Sequence, residues 1–266
     1  MPLILVTNDD GIDSPGLLAA VRAVWGLGDV LVVAPTRQWS GAGRSFPRET
    51  TGAIVPRRLE VDGEPVSAFA VDGSPAQVVL HALLELAPRP PDLLVVGINY
   101  GENPGADVTS SGTIGAALQG ASCGVPALAV SRQAPKEVHI HLSDEMDFTA
   151  AAYFTRFFAR RMLAVALPFD VDVLKVDVPD SATPETPWRL TRQSRQTYFR
   201  PVPPRRNDLS QPGRMDYEAA WDVRDLEPDS DVYALAVERV VAVTPLSLDL
   251  TSRADRAEIA RLLETL

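Results

Sequence analysis

The stretch Leu3-Ile4-Leu5-Val6-Thr7-Asn8-Asp9-Asp10-Gly11-Ile12-Asp13-Ser14-Pro15-Gly16 runs without pause from an apolar segment through a polar turn into a helix start. Leu3 to Val6 is a short continuous apolar run, the form of a strand buried on both faces of a parallel sheet. Ser14 stands where a helix is capped and Pro15 suits its first turn, and Leu17, Leu18, Val21, Val24 and Trp25 follow at helical spacing. Strand, turn and helix in that order begin a βαβ unit, and the rest of the chain is read outward from it.

The rhythm repeats. Val30 to Ala34, Leu93 to Val96, Ala127 to Val130 and Val173 to Val178 read as further strands, Ser74-Pro75 repeats the helix-start signal, and Phe148 to Met162 marks one face of a helix. Ile54 to Val61 and Pro65 to Val71 flank Asp62-Gly63, which favours a tight hairpin turn. The expected fold is therefore α/β, a Rossmann-like and mostly parallel sheet flanked by helices, with a β-hairpin insertion. Residues 1–178 form the core with the insertion near 52–71, and residues 179–266 form a C-terminal extension that is not an independent domain. From Pro179 to Ser230 the extension has weak periodicity and isolated aromatics (Trp188, Tyr198, Phe199, Tyr217, Trp221), as expected of a segment that packs on a partner or on a functional face. Regular pattern returns at Val232 to Val243, and a terminal helix follows with Ile259, Leu262, Leu263 and Leu266 on one stripe.

The chemistry gathers at strand ends, where open α/β sheets bind ligands. Neighbouring side chains in a strand point to opposite faces, so Asp9 and Asp10 share a target only if the chain turns, which Gly11 permits. Unneutralised, the pair repels; a divalent cation removes that penalty. The plainer alternative is one Asp capping the helix and the other solvated. After the second strand, Ala34 to Ser45 is rich in small residues and hydroxyls: Gly41 lets backbone N–H groups approach an oxyanion, Arg44 offers charge and Ser40 an oxygen, although an ordinary surface loop has the same composition. After the Leu93 strand, Asn99 offers a carbonyl oxygen, and Ser111, Gly112 and Thr113 stand at a helix start where N–H groups and the dipole favour an anion. The bland reading there is an Asn turn before a capped helix.

Composition narrows the field. In 266 residues, 35 acidic side chains exceed 25 basic ones, and a net charge of −10 argues against binding a nucleic-acid duplex. The single cysteine, Cys123, excludes an internal disulfide framework and fits a cytoplasmic setting. No secretory leader opens the chain, and no apolar run reaches the ~20 residues of a membrane span. Oxygen ligands suit Mg²⁺ or Mn²⁺, with Ca²⁺ also compatible, whereas His and Cys for zinc are scarce. His139 and His141, spaced for one face of a strand, read as a solvated pair, and His81 reads as a hydrogen-bonded packing residue.

Taken together, TNDDGIDSPG at 7–16, VVAPTRQWSGAG at 32–43, VDGSPAQ at 71–77, PDLLVVGINYGENPGADVTSSGT at 91–113 and GVPALAVS at 124–131 resemble the SurE family of survival-protein nucleotidases. LTRQSR at 190–195 and VAVTPLSLDLT at 241–251 extend the resemblance over nearly the whole chain. It implies one divalent metal ion on Asp9, Asp10, Ser40 and Asn99, and hydrolysis of nucleoside monophosphates (a 5′/3′-nucleotidase activity) through a metal-activated water. It further implies that Asn8 joins Asp9 and Asp10 at the reacting centre, that Asn8, Asn103, Ser111, Gly112 and Thr113 lie on the phosphate side, and that the protein is a homodimer or homotetramer exchanging C-terminal segments. Ser110, Gln77 and Asp177 depart from the family's usual residues. Competing readings are a hydrolase of short polyphosphate or sugar phosphates, and a nucleotide-binding sensor without turnover. A dinucleotide oxidoreductase is disfavoured, since no G-x-G-x-x-G follows the first strand.

Overall fold

The computed structural model describes residues 1–139, 143 and 145–264. In chain order the main elements are β1 (Leu3–Thr7), α1 (Pro15–Val24), β2 (Asp29–Pro35), β3 (Ile54–Val61), β4 (Glu64–Val71), α2 (Pro75–His81), β5 (Leu93–Tyr100), α3 (Gly112–Ser122), β6 (Ala127–Arg132), α4 (Thr149–Ala164), β7 (Val173–Val178), β8 (Trp188–Leu190), β9 (Phe199–Val202), β10 (Asp216–Ala219), the short α5 (Asp231–Tyr233), β11 (Val241–Leu246) and α6 (Arg256–Glu264). Nine strands make one sheet in the order β3-β4-β2-β1-β5-β6-β7-β11-β8, parallel from β4 to β7.

The period-two pattern explains the layering. Ile4 and Val6 face a cluster with Leu17 and Val21 of α1 and Phe154 and Phe158 of α4, while Leu3 and Leu5 face the opposite cluster with Val78 and Val79 of α2 and Ile114 and Ala117 of α3. Both faces are covered, which is why the strands read as unbroken apolar runs. Phe154 is almost fully buried, and truncating such a ring costs about 3–5 kcal/mol.

Local signals held with informative exceptions. Ser74 and Gln77 form a reciprocal capping box at α2, which gives the departure at Gln77 a structural use: its side chain also binds Thr50 and the Pro47 carbonyl. Ser14 occupies the cap position of α1, but its buried hydroxyl makes no bond among the described residues. The Asp62-Gly63 hairpin is present, with both residues at positive φ (52° and 84°), yet it does not stand off the core: β4 pairs in parallel with β2, so the hairpin forms the edge of the main sheet. The extension supplies β11, antiparallel to β7, and β8 beyond it, while β9 and β10 form a separate hairpin. His139 follows a short 3₁₀ turn (Lys136–Val138) rather than standing in a strand; His141 and Leu266 lie outside the described residues.

From β1 the chain winds outward through β2 to β4, then crosses back to place β5 on the other side of β1. The carboxyl ends of β1 and β5 thus flank the point where the strand order reverses, the crevice that α/β sheets use for ligands.

Candidate active site

Three loops meet in that crevice. Immediately after β1, Asn8 closes the turn from both ends: its Nδ2 donates to the Gly11 carbonyl (3.0 Å) and its Oδ1 accepts from the Gly11 N–H (3.2 Å). Gly11 takes φ +102°, a conformation other residues rarely adopt, and the bend aims Asp9 and Asp10 into one region. The loop after β2 is tied to the same turn, because the Trp39 N–H donates to the Asp9 carbonyl (2.7 Å).

The two carboxylates are each only 4% exposed. Asp9 Oδ1 accepts from the Thr113 hydroxyl (2.6 Å); Asp10 accepts from Gln38 Nε2 (3.0 Å) and from the Tyr100 N–H (3.2 Å). Burial pushes both carboxyls well above the ordinary carboxylate range, and the charge of Asp9 raises Asp10 further; hydroxyl, amide and backbone donors offset this only in part. Among the described residues no cation contributes to either group, so a pair of ionised carboxylates here calls for a bound cation.

β5 delivers Asn99 through a bulge against β6 between Val96 and Asn99. The Asn99 amide nitrogen donates to the Gly101 carbonyl (2.7 Å), which leaves its oxygen as the end available to a ligand. Asp9, Ser40, Gly41, Asn99, Asn103, Ser111 and Gly112 all line one cavity of about 390 Å³. Among the described residues no three His, Cys, Asp or Glu side chains group together, so a cation held here takes Ser40 and Asn99 oxygens beside the two carboxylates, a hard donor set.

At Gly112 the helix start approaches closely: a Cβ there would lie 2.7 Å from Asp9 Oδ2 and 3.0 Å from the Trp39 carbonyl. Ser111 caps α3, its hydroxyl accepting from the Ile114 N–H (3.2 Å). Thr113 orients Asp9 rather than lining the cavity. Asn103 lines it, with its N–H on Asp177 Oδ1 and its amide on the Ser131 hydroxyl (2.8 Å each). Two expected residues are occupied elsewhere. Asn8 is fully buried with its amide spent on Gly11, and Arg44 points along α3 to Gln119 Oε1 (2.8 Å) and Ser122 Oγ (2.6 Å), away from the cavity.

Sequence reasoning does not find the ring-bearing part of the lining, built from His139, Phe199 and Tyr217 with Glu102 and Asp107. Its trace was the aromatic-bearing stretch of weak periodicity, which packs on the functional face. Gln38 joins the two sides, donating to Asp10 and to the His139 carbonyl (2.7 Å). His81, by contrast, bonds Glu85 on the helix surface, far in function from the cleft.

The profile of the family described as "Survival protein SurE" matches residues 4–200. A protein of Methanothrix thermoacetophila named 5′-nucleotidase SurE is 42% identical over 274 aligned residues, with 100% of both chains covered. One of the same name from Thermococcus gammatolerans is 39% identical, covering 98% of this chain and 95% of its own. The crystal structure of the SurE protein from Aquifex aeolicus superposes with a TM-score of 0.76 at 31% identity, covering 98% of this chain and 100% of that one.

Proposed function

The chain belongs to the SurE family, and we propose from that premise and from the cleft that it is a divalent-metal-dependent nucleotidase, hydrolysing nucleoside monophosphates to nucleoside and phosphate. The observation that carries the reading is the buried Asp9–Asp10 pair, with no cation among the described residues to neutralise it, beside the Asn99 oxygen and the start of α3.

Asp9, Asp10, Ser40 and Asn99 would hold the ion, with Mg²⁺ or Mn²⁺ suiting their oxygens best and Ca²⁺ compatible. A divalent ion in such a site neutralises phosphate charge and lowers the pKa of water. Ser40, Gly41, Asn103 and the first turn of α3 at Ser111 and Gly112 border the position of the phosphate, where helix N–H groups favour an anion. Asp9 is the carboxylate of the pair that lines the cavity; with Oδ1 held by Thr113, its Oδ2 is placed to orient the attacking water and accept its proton. The P–O ester bond breaks as water adds, and the leaving sugar oxygen takes a proton. Asp10, tied to Gln38 and the Tyr100 N–H, keeps the pair in place. The same reading carries a cytoplasmic homodimer or homotetramer.

The test is phosphate release from a panel of 5′- and 3′-nucleoside monophosphates, a sugar phosphate and short polyphosphate, with and without chelator. Turnover of the monophosphates is expected to vanish with chelator, to return with Mg²⁺ or Mn²⁺ better than with Zn²⁺, and to be nearly abolished in Asp9→Asn. A fully active Asp9→Asn enzyme would sink the site, and activity confined to polyphosphate would sink the substrate class.

A further inference from the structure

The cavity lining combines two chemistries. Asp9, Ser40, Asn99 and the start of α3 contribute oxygens and helix N–H groups to its lining, and His139, Phe199 and Tyr217 contribute rings. Ring centroids are 6.0 Å apart for His139 and Phe199 at 86°, 5.3 Å for Phe199 and Tyr217 at 72°, and 6.1 Å for His139 and Tyr217 at 14°.

His139 is a wall and not an acid or base for the reaction. Its Nε2 lies 3.0 Å from the Ala134 carbonyl, which only accepts, so Nε2 carries the proton; Nδ1 then accepts from the Tyr217 hydroxyl at 2.9 Å. Burial lowers its pKa and keeps the imidazole neutral. Both polar edges are used inside the wall.

The rings are held before any ligand arrives. Asp107 Oδ2 accepts the N–H groups of Tyr198 and Phe199 (3.0 and 2.9 Å), fixing the start of β9 against the cavity. Tyr198 packs edge-on against Phe199 and stacks with Trp221, and Lys136 pins Tyr217 through its carbonyl (2.7 Å) and through Asp216. No lysine or arginine lines the cavity among the described residues, so the rings stand beside no side-chain cation that would take a second phosphate. A flat, neutral π-system is the ligand the rings fit.

We propose that Phe199 and Tyr217, backed by His139, form the stacking subsite for the base of the nucleotide, so that the C-terminal extension supplies selectivity for nucleotides over ring-free phosphate esters. This rests on the nucleotidase reading. Metal ligands, the polar Asn103 and Asp107, and the rings all line the same cavity, which therefore offers one surface suited to each of the phosphate, sugar and base of a nucleotide. Stacking accepts any base, because every base has a π-face, so the subsite separates nucleotides from other esters more than one base from another.

The experiment compares the full-length parent with Phe199→Leu and Tyr217→Leu, using adenosine and uridine 5′-monophosphates and glycerol phosphate as substrates with the metal present. Loss of one stacking partner is expected to lower the nucleotide-to-glycerol-phosphate ratio of kcat/KM on the order of tenfold, chiefly through KM. A ratio unchanged in both variants, with both esters slowed alike or not at all, overturns the subsite. If one variant fails to fold by its melting curve, the other decides. A parent that hydrolyses none of these esters removes the nucleotidase reading and the subsite with it, an outcome distinct from an active parent whose ratio does not move.

Discussion

Lys175 Nζ lies 3.0 Å from Asp231 Oδ2 with neither side chain exposed, and the same nitrogen bonds Asp177. The two carboxylates reach from this buried cation to the loop that follows Asn99: Asp177 accepts the Asn103 N–H and Asp231 accepts the Gly105 N–H (3.0 Å), while Asp231 also takes the Ser194 N–H (2.9 Å). Burial alone would lower the Lys175 pKa, but the two carboxylates outweigh it and hold the ammonium above the usual lysine range.

Removing the cation leaves two buried negative charges, so Lys175→Met is expected to cost about 3–5 kcal/mol in urea denaturation. Asp177→Asn keeps an acceptor for Asn103 and leaves Lys175 paired with Asp231, so its cost is expected to stay below about 2 kcal/mol. Equal losses in the two variants would mean that charge balance is not what the cluster supplies.

Metal removal has a sign that depends on pH. The Asp9 and Asp10 carboxyls sit above their unfolded values, so without an ion the folded state prefers them protonated, and its stability falls as pH rises past the ordinary carboxylate range. A divalent ion binds the ionised pair and stabilises more as pH rises. Melting curves from about pH 5 to about pH 8 are therefore expected to show Tm dropping in chelator and the gap between Mg²⁺ and chelator widening. A gap that narrows with pH contradicts metal binding by these two residues.

Thr113→Val and Gly112→Ala act on the same carboxylate from two sides. The first removes a hydrogen bond to Asp9 worth about 1.5–3 kcal/mol, so kcat/KM is expected to fall by roughly ten- to a hundredfold with little change in fold. For the second, sequence reasoning alone predicts a methyl group that obstructs phosphate while metal binding persists. The structure changes that expectation, because the added Cβ would meet Asp9 Oδ2 and Asp9 Cβ (2.8 Å). Gly112→Ala is expected to weaken metal affinity together with activity, checked by metal titration beside steady-state kinetics. Intact metal affinity with raised KM would restore the phosphate-only role.

Legibility followed the range over which the information acts. The strand ends were readable because short apolar runs, Asp-Asp-Gly and Ser-Pro starts are local in sequence, and Asp9, Asn99 and Gly112 do meet at one crevice. Arg44 was not: its partners Gln119 and Ser122 lie on a helix more than seventy residues away, and nothing local distinguishes a guanidinium aimed at a phosphate from one aimed at a helix surface. The ring wall and the Lys175 cluster were hidden for the same reason, since Phe199 pairs with Ala219 and faces His139 only once β9, β10 and the 134–139 segment are assembled.

Ile259, Leu262 and Leu263 of α6 are 38%, 64% and 70% exposed, and no residue of this helix is buried against its own chain. Three large apolar side chains on one terminal helix cost little if a second copy of the chain covers them, which agrees with the homodimer or homotetramer expected from the family resemblance. Light scattering at micromolar concentration is expected to give at least twice the chain mass, and truncation after Thr251 is expected to lower that mass toward one chain. Because the cavity is lined entirely by residues before β11, the truncated protein should keep metal-dependent turnover within a few-fold of the parent. A parent that is monomeric across this range, or a truncation that leaves its mass unchanged, would show that α6 is not the element that joins the copies.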